Sequence, residues 1–428
     1  MKNTAKSTIY LVLGRGMIVV IQGLNFVVVA RALGPAQFGV FASIVGVLSI
    51  LYPLACCGAP LLLVQRFTEG YGFLHLWRFR RIITTTAPVV LAVALGAGFL
   101  ALPSFGRETA TFIVLLVLSE VVMFLGHDIC FAMYQSTGLI YLSVPYSVGL
   151  PALRLGGNLL LIGLGWFSLN TFAMVQVAAS GTVLYLFFRS AERNLRVHYA
   201  GGRQGLPTLR SDLSLGFQYA VGLLSVNATR DIDKALLPRL AGLASTGLYS
   251  SGFRIVDMVY LPILSLFNVI FPQFFEIGKH GTKGLWRFVL KTYRWTLGYA
   301  SAASVLLFLA APLVPYILGK EYGEVSAVVR WLSPIIFLKA LYQPLADALT
   351  GLRRQALRVK IQLTVVGLNI VLNLLLIPVL GWLGAAIATL VSQVSLVIGI
   401  FAALRSLRED HFAPNGDTWP RRRSSPPG

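Results

Sequence analysis

Residues 361–404 read IQLTVVGLNIVLNLLLIPVLGWLGAAIATLVSQVSLVIGIFAAL, without one charged side chain and interrupted only by Pro378 and Gly381 in a turn. Each side of that turn is long enough to cross the ~30 Å hydrocarbon core of a bilayer as a helix of about 20 residues. Two spans joined by a tight turn decide the class of the whole chain, because runs of the same kind recur along it. They lie near 9–30, 39–64, 82–103, 110–131, 141–163 and 168–188. A second set lies near 213–238, 245–275, 295–318, 325–351, 359–380 and 383–404. The expected fold is an all-α polytopic membrane protein with twelve transmembrane helices.

Composition agrees. Of 428 residues, 56% are hydrophobic and 12% charged, with mean hydropathy +0.74. A soluble domain is about 25% charged, so soluble enzymes, secreted disulfide scaffolds and disordered chains are excluded. Cys56, Cys57 and Cys130 fall in apolar segments with no metal-ligand spacing. No catalytic, cofactor or metal motif occurs: no HExxH, no P-loop and no nucleophile elbow.

The net charge of +20 invites a nucleic-acid reading, but the placement of the cations answers it. With the N-terminus inside, 25 of the 36 Lys and Arg fall in inside segments: Lys2 and Lys6, 66–81, 189–210, 279–294, 353–360 and 405–423. Outside loops hold five: Arg31, Arg107, Arg239, Lys320 and Arg330. Basic residues accumulate on the cytoplasmic side of membrane proteins, so the asymmetry places both termini inside and leaves no role for nucleic acid. The outside loops are short. Two inside stretches, 71–81 and 283–295, mix Trp, Phe and Leu with basic residues and suit amphipathic pieces lying in the headgroup region.

The chain repeats itself. Arg31-Ala32-Leu33-Gly34 with Gly39 matches Arg239-Leu240-Ala241-Gly242 with Gly247, 208 residues on. Trp77-Arg78-Phe79 matches Trp286-Arg287-Phe288, Gly106-Arg107-Glu108 matches Gly319-Lys320-Glu321, and Asn158 to Ile162 matches Asn373 to Ile377. Four matches in one order indicate a duplicated six-helix unit. An even number of spans gives both halves one orientation, related by a pseudo-two-fold axis along the membrane normal. The expected division is 1–190 and 213–404 for the two bundles, 191–212 for a cytoplasmic linker and 405–428 for a disordered tail.

The six remaining cations, Arg15, Arg154, Arg230, Lys234, Arg254 and Lys339, lie inside predicted spans. Ionisable groups there are costly and face a cavity or a partner. Helical spacing aligns Arg15 with Gln22 and Asn25, Glu120 with His127 and Asp128, and Arg154 with Asn158. It also aligns Arg254 with Asp257, Lys339 with Gln343 and Asp347, and Gln362 with Asn369 and Asn373, while Arg230, Asp231, Asp233 and Lys234 form a cluster. One polar stripe per helix implies an aqueous cavity between the lobes. Plainer readings stand beside this. Arg15 can snorkel, the Arg230–Lys234 cluster can be an interfacial salt-bridged turn, and Asn158 and Asn373 can glue helices. Lys339 can pair with Asp347 through Gln343, and Arg254 with Asp257. A cationic cavity selects an anion, since guanidinium grips phosphate oxygens in bidentate fashion. Acids there, Glu120, Asp233, Asp257 and Asp347, suit a coupling proton or sodium ion.

Three motifs carry a family resemblance: Arg31 to Pro35 with Phe38-Gly39; Gly319 to Tyr322; and Asn373 to Pro378 with Gly381 and Gly384 to Thr389. Over nearly the whole chain they resemble the Wzx-type oligosaccharide flippases of bacterial polysaccharide biosynthesis, in the multidrug/oligosaccharidyl-lipid/polysaccharide exporter superfamily. The resemblance implies two six-helix bundles around a V-shaped cavity in the inner membrane. It also implies a substrate, undecaprenyl-pyrophosphate carrying a short oligosaccharide, flipped for O-antigen, capsule or exopolysaccharide synthesis. A polysaccharide polymerase and a chain-length regulator are the implied partners, beside membrane lipids. Lipid II flippases have two further helices for which this chain has no room. Multidrug antiport shares the twelve-helix plan and is the alternative, with a membrane polymerase or ligase behind it. In this scheme Arg154, Arg254 and Lys339, with Arg15, Asn158, Arg230, Lys234 and Asn369, line the substrate cavity. Asp347, Asp257, Glu120 and Asp233 couple the ion.

Overall fold

The structure is a computed structural model and describes residues 2–55, 57–68, 88, 91–99, 102, 106–137, 139–198, 209–278, 281–352 and 354–410. Among them almost everything is helix and no strand occurs. That is the demand of a bilayer, where each backbone group must find its partner within its own segment.

The first half comprises α1 (Lys2–Ala55), α2 (Ala59–Thr68), α3 (91–99), α4 (Arg107–Ser136), α5 (Val144–Gly163) and α6 (Leu169–His198). The second comprises α7 (Leu209–Leu240), α8 (Leu243–Gly278), α9 (Thr282–Ala310), α10 (Val314–Leu318), α11 (Val325–Leu332), α12 (Pro334–Gly351), α13 (Gln355–Leu380) and α14 (Trp382–Asp410). Seven stretches of the described residues are long and apolar enough to cross a membrane, and one of them, Leu13–Arg66, holds most of the first expected span and all of the second. The chain is therefore a multi-pass membrane protein of the expected class.

Several boundaries differ from the sequence reading. The first two spans run as one helical element, broken at Gly34, whose φ of 69° and ψ of 171° are non-helical. The second span breaks again at Cys57 (φ 46°) and Gly58 (φ 62°) before resuming as α2. The stretch 283–295, expected in the headgroup plane, is the first half of α9. The tenth span divides between α11 and α12, where Pro334 opens a new helix. Helix α6 runs to His198 and α7 starts at Leu209, so helix occupies both ends of the expected linker, and α14 takes 405–410 of the expected tail. The in-plane piece 71–81, most of the third span, Gly201-Gly202 and 411–428 lie outside the described residues.

Two bundles result. In the first, α4 packs on α5's neighbour α6 and on α2; in the second, α12 sits among α8, α9 and α14, with α13 against α7 and α14. The bundles meet where α1 crosses α7 and α8. Buried rings anchor the cores against half-buried ones: Tyr146 stacks on buried Phe187 at 4.7 Å, and buried Phe274 meets Phe288 edge-on at 5.0 Å. At the end of the bundles that carries most of the basic residues they are tied by a buried ion pair. Arg66 holds Asp212 Oδ1 at 3.0 Å through Nε and 2.7 Å through Nη2.

Candidate functional site

A cavity of about 320 Å³ opens between the bundles where α1 faces α7 and α8. Its wall takes Gln22, Phe38, Phe41, Gly46 and Ser49 from α1, Arg230, Asp231 and Lys234 from α7, and Phe253, Arg254 and Asp257 from α8. These helices bring their polar stripes to one place because each buries its apolar remainder in its own bundle or in lipid.

Within the wall the charges are unequal. Lys234 Nζ contacts Asp231 Oδ1 at 2.5 Å and lies 4.1 Å from the centre of the Phe253 ring. Arg230 reaches Asp231 Oδ2 at 3.1 Å while its side chain stays half exposed. Ser49 Oγ, from the opposite lobe, donates to the same Oδ2 at 2.7 Å. Asp257 accepts from Lys339 Nζ at 2.7 Å. Arg254 differs from the rest: its guanidinium lies over Phe26, 5.5 Å from the ring centre, and it has no hydrogen-bonded carboxylate among the described residues. Ser250 Oγ, on the same wall, is buried without a hydrogen-bond partner. A cation and a hydroxyl therefore face the cavity with unsatisfied donors.

The sequence placed Arg230, Lys234, Arg254 and Asp257 in the cavity, and they are there. The other candidates are elsewhere. Arg154 is an internal strut of the first bundle, bonded to Glu120 at 3.0 Å, Ser180 at 2.9 Å and Ser119 at 3.4 Å. Lys339 stands behind the wall and neutralises Asp257; it does not pair with Asp347, which lies two turns along the same helix. Asp347 accepts instead from Gln343 at 2.9 Å and from Arg358 at 3.4 Å. Arg254 likewise does not pair with Asp257. Asn158 is fully buried and donates to Asn25 at 2.9 Å, gluing α5 to α1. Asn369 donates to Ser392 at 2.9 Å between α13 and α14. Arg15 is exposed and outside the cavity. Asp233, one residue from the cavity cluster, turns into the second bundle, where Tyr249 Oη and Thr389 Oγ1 donate to its Oδ2.

Asp231 is the group the sequence did not single out. It anchors two cations and the opposite lobe, and its signal was present: the only acid in the Arg230–Lys234 cluster spaced for a one-turn pair with Lys234. Among the described residues no group of His, Cys, Asp and Glu is spaced to hold a metal ion.

A charged cavity between two bundles of membrane-spanning helices is the architecture of a membrane transporter. The fold agrees with solved structures of that class. Lipid II flippase MurJ in an inward closed conformation matches with a TM-score of 0.72 at 13% identity, over 94% of this chain and 87% of that one. A multidrug resistance MATE family transporter of the MOP superfamily matches in its inward-facing conformation at 0.67 and 14% identity, over 91% of this chain and 96% of that one. An outward-facing MATE structure gives 0.62 at 14% identity, over 94% and 96%. Among curated protein sequences none matches. The polysaccharide biosynthesis protein family model matches residues 4–278, and the chain belongs to that family.

Proposed function

We propose that this protein flips lipid-linked oligosaccharide units across the inner membrane, its termini in the cytoplasm, for polysaccharide assembly. The substrate on this reading is undecaprenyl-pyrophosphate bearing a short glycan. The observation that carries the proposal is Arg254: a guanidinium facing an interlobe cavity with no carboxylate bound to it. Arg230 and Lys234 add positive charge, and Asp231 and Asp257 are both engaged by cations. The uncompensated charge of the cavity is therefore cationic, which suits a pyrophosphate. It opposes the alternative of cation antiport, in which a free acid would be needed. Phe38, Phe41 and Phe253 give apolar faces beside the cations, as an amphiphile with a sugar head would use.

Coupling to a proton or sodium ion is part of the reading, and the acids divide by position. Asp233 is buried on the cavity helix α7 itself and, unlike Asp231, is held by hydroxyl groups and, among the described residues, by no cation's side chain. It is therefore the acid best placed to take up a coupling ion. Asp347, Glu120 and Asp257 each neutralise a neighbouring cation. The test is flipping of a pyrophosphate-linked oligosaccharide in vesicles containing the purified protein. Wild type should expose the glycan on the opposite leaflet, and Arg254→Ala should not. Equal rates in both would reject the proposal.

A further inference from the structure

The outer ends of the two lobes, opposite the basic-rich face, are joined by contacts that repeat themselves. Arg31, at the end of the first span, donates from Nη2 to the carbonyl of Tyr316 in the second lobe at 2.9 Å. Arg239, 208 residues on at the end of α7, reaches the carbonyl of Leu102 in the first lobe at 3.4 Å. The acceptors correspond to within one residue. Tyr316 stands just before Gly319-Lys320-Glu321, and Leu102 just before Gly106-Arg107-Glu108.

Beyond each arginine the chain turns on a left-handed glycine, Gly34 at φ 69° and Gly242 at φ 86°. Past the turns the helices cross backbone to backbone. A Cβ on Gly39 would lie 1.9 Å from the carbonyl oxygen of Leu243, and one on Gly247 would lie 1.8 Å from that of Pro35. Pro35 and Leu243 are themselves repeat mates, as Gly39 and Gly247 are. One surface meets its own copy, residue i touching j while j touches i, which is the mark of an isologous two-fold contact. Tyr322 Oη adds a bond to the carbonyl of Ala30 at 2.9 Å.

We propose that this reciprocal contact is the outer gate of the transporter, a latch that is closed here and parts to open the cavity outward. Its chemistry suits repeated opening. The arginines bond neutral carbonyls, Arg31 at the exposed surface and Arg239 half-buried, and water can take the place of such a carbonyl. At the glycine crossing itself backbone meets backbone without interlocked side chains, so the lobes can part there without drawing one side chain past another. The buried Arg66–Asp212 pair at the inner face is a contact of the opposite kind, costly to break. The inference rests on the transport reading only for what passes through; the latch itself is tested without substrate.

The experiment uses the full chain in oriented vesicles, with Cys56, Cys57 and Cys130 replaced by Ser and Ala42→Cys as a reporter in the cavity wall. A membrane-impermeant maleimide is added from one face at a time. Labelling from the outer face should be slow in this parent. In Arg31→Ala/Arg239→Ala it should rise about tenfold, and in Tyr322→Phe about threefold, as the open population grows. Arg330→Ala, an outer cation that stacks on Phe308 of its own lobe, should leave the rate unchanged. Rates within about twofold of the parent in both gate variants would overturn the latch. Should the double variant fail to insert, Tyr322→Phe, which loses only a hydroxyl, decides alone. A rise confined to reagent added from the inner face would overturn the outer assignment.

Discussion

Arg154 and Arg254 are both arginines inside the bilayer, and the structure separates them sharply. Arg254 touches the ring of Phe26, a contact worth about 0.5–2 kcal/mol. Arg154 holds Glu120, whose side chain is 5% exposed; removing one partner of a buried pair costs about 3–5 kcal/mol. Arg254→Ala should therefore unfold near the wild-type temperature, while Arg154→Ala should be strongly destabilised. Binding should show the reverse emphasis. Two charge-assisted bonds from Arg254 to a pyrophosphate, at about 1.5–3 kcal/mol each, amount to at least a 100-fold loss of affinity at about 1.4 kcal/mol per tenfold. Arg254→Lys keeps a point charge without the planar fork and should fall between. The assay is thermal unfolding in nanodiscs together with titration of a short-chain pyrophosphate lipid. Wild-type affinity in Arg254→Ala, or destabilisation equal to that of Arg154→Ala, would refute the division of roles.

Three further outcomes are expected. Lys339→Met and Asp257→Asn should each lower the unfolding temperature, and the exchange Lys339→Asp/Asp257→Lys should recover part of the loss; an exchange no better than the worse single change would show that the pair is not coupled. Gly247→Val should abolish transport in a protein that still inserts, whereas Gly23→Ala, with no atom closer than 3.9 Å to its added Cβ, should be tolerated; complementation by Gly247→Val would contradict the close crossing. Reporter fusions at Gly106 and Gly319 should read outside and at Gly202 inside, and an inside reading at Gly319 would undo the topology of the second half.

The fold was legible because the bilayer imposes it. Apolar runs of span length, the basic asymmetry and the duplicated motifs each depend on local sequence alone. The repeat proved more informative than its weak matches suggest, since Gly39 and Gly247, 208 residues apart, turn out to meet across the axis, each pressing on the residue four before the other. Pairings were less legible. Helical spacing correctly joined Gln343 to Asp347, four residues away on one helix. It failed for Lys339, because the choice between Asp347 and Asp257 is made by how α12 packs on α8, and one sequence does not encode interhelical distance. Arg154 misled for the same reason: its partner Glu120 sits on a different helix, and nothing in the spacing of either shows that they meet. Asn158 followed the plainer reading, a helix-gluing amide. Breaks inside helices were missed where an apolar run continued through them, at Cys57-Gly58 and at Ser333-Pro334.

The cavity is two copies of one wall with the charge on a single copy. Gln22, Gly46 and Ser49 line it from the first half; Arg230, Arg254 and Asp257 stand 208 residues later and line it from the second. Duplication brought equivalent positions face to face across the axis, and only the second-half set is ionised. On the proposed function this asymmetry governs release. A pyrophosphate held by Arg254 and Arg230 belongs to one lobe, and the facing wall offers it an amide, a glycine and a hydroxyl. When the lobes part, the contacts broken in the middle of the seam are those of neutral donors: Ser49 Oγ on Asp231 at 2.7 Å, and Asn227 Nδ2 on the Ser49 carbonyl at 2.7 Å. Bonds of this kind are worth about 0.5–3 kcal/mol net. Cations on both walls would instead clamp the anion between the lobes, and every opening would have to strip charge from charge in a low dielectric. A neutral wall against a charged one lets the second lobe carry the headgroup while the first swings clear of it.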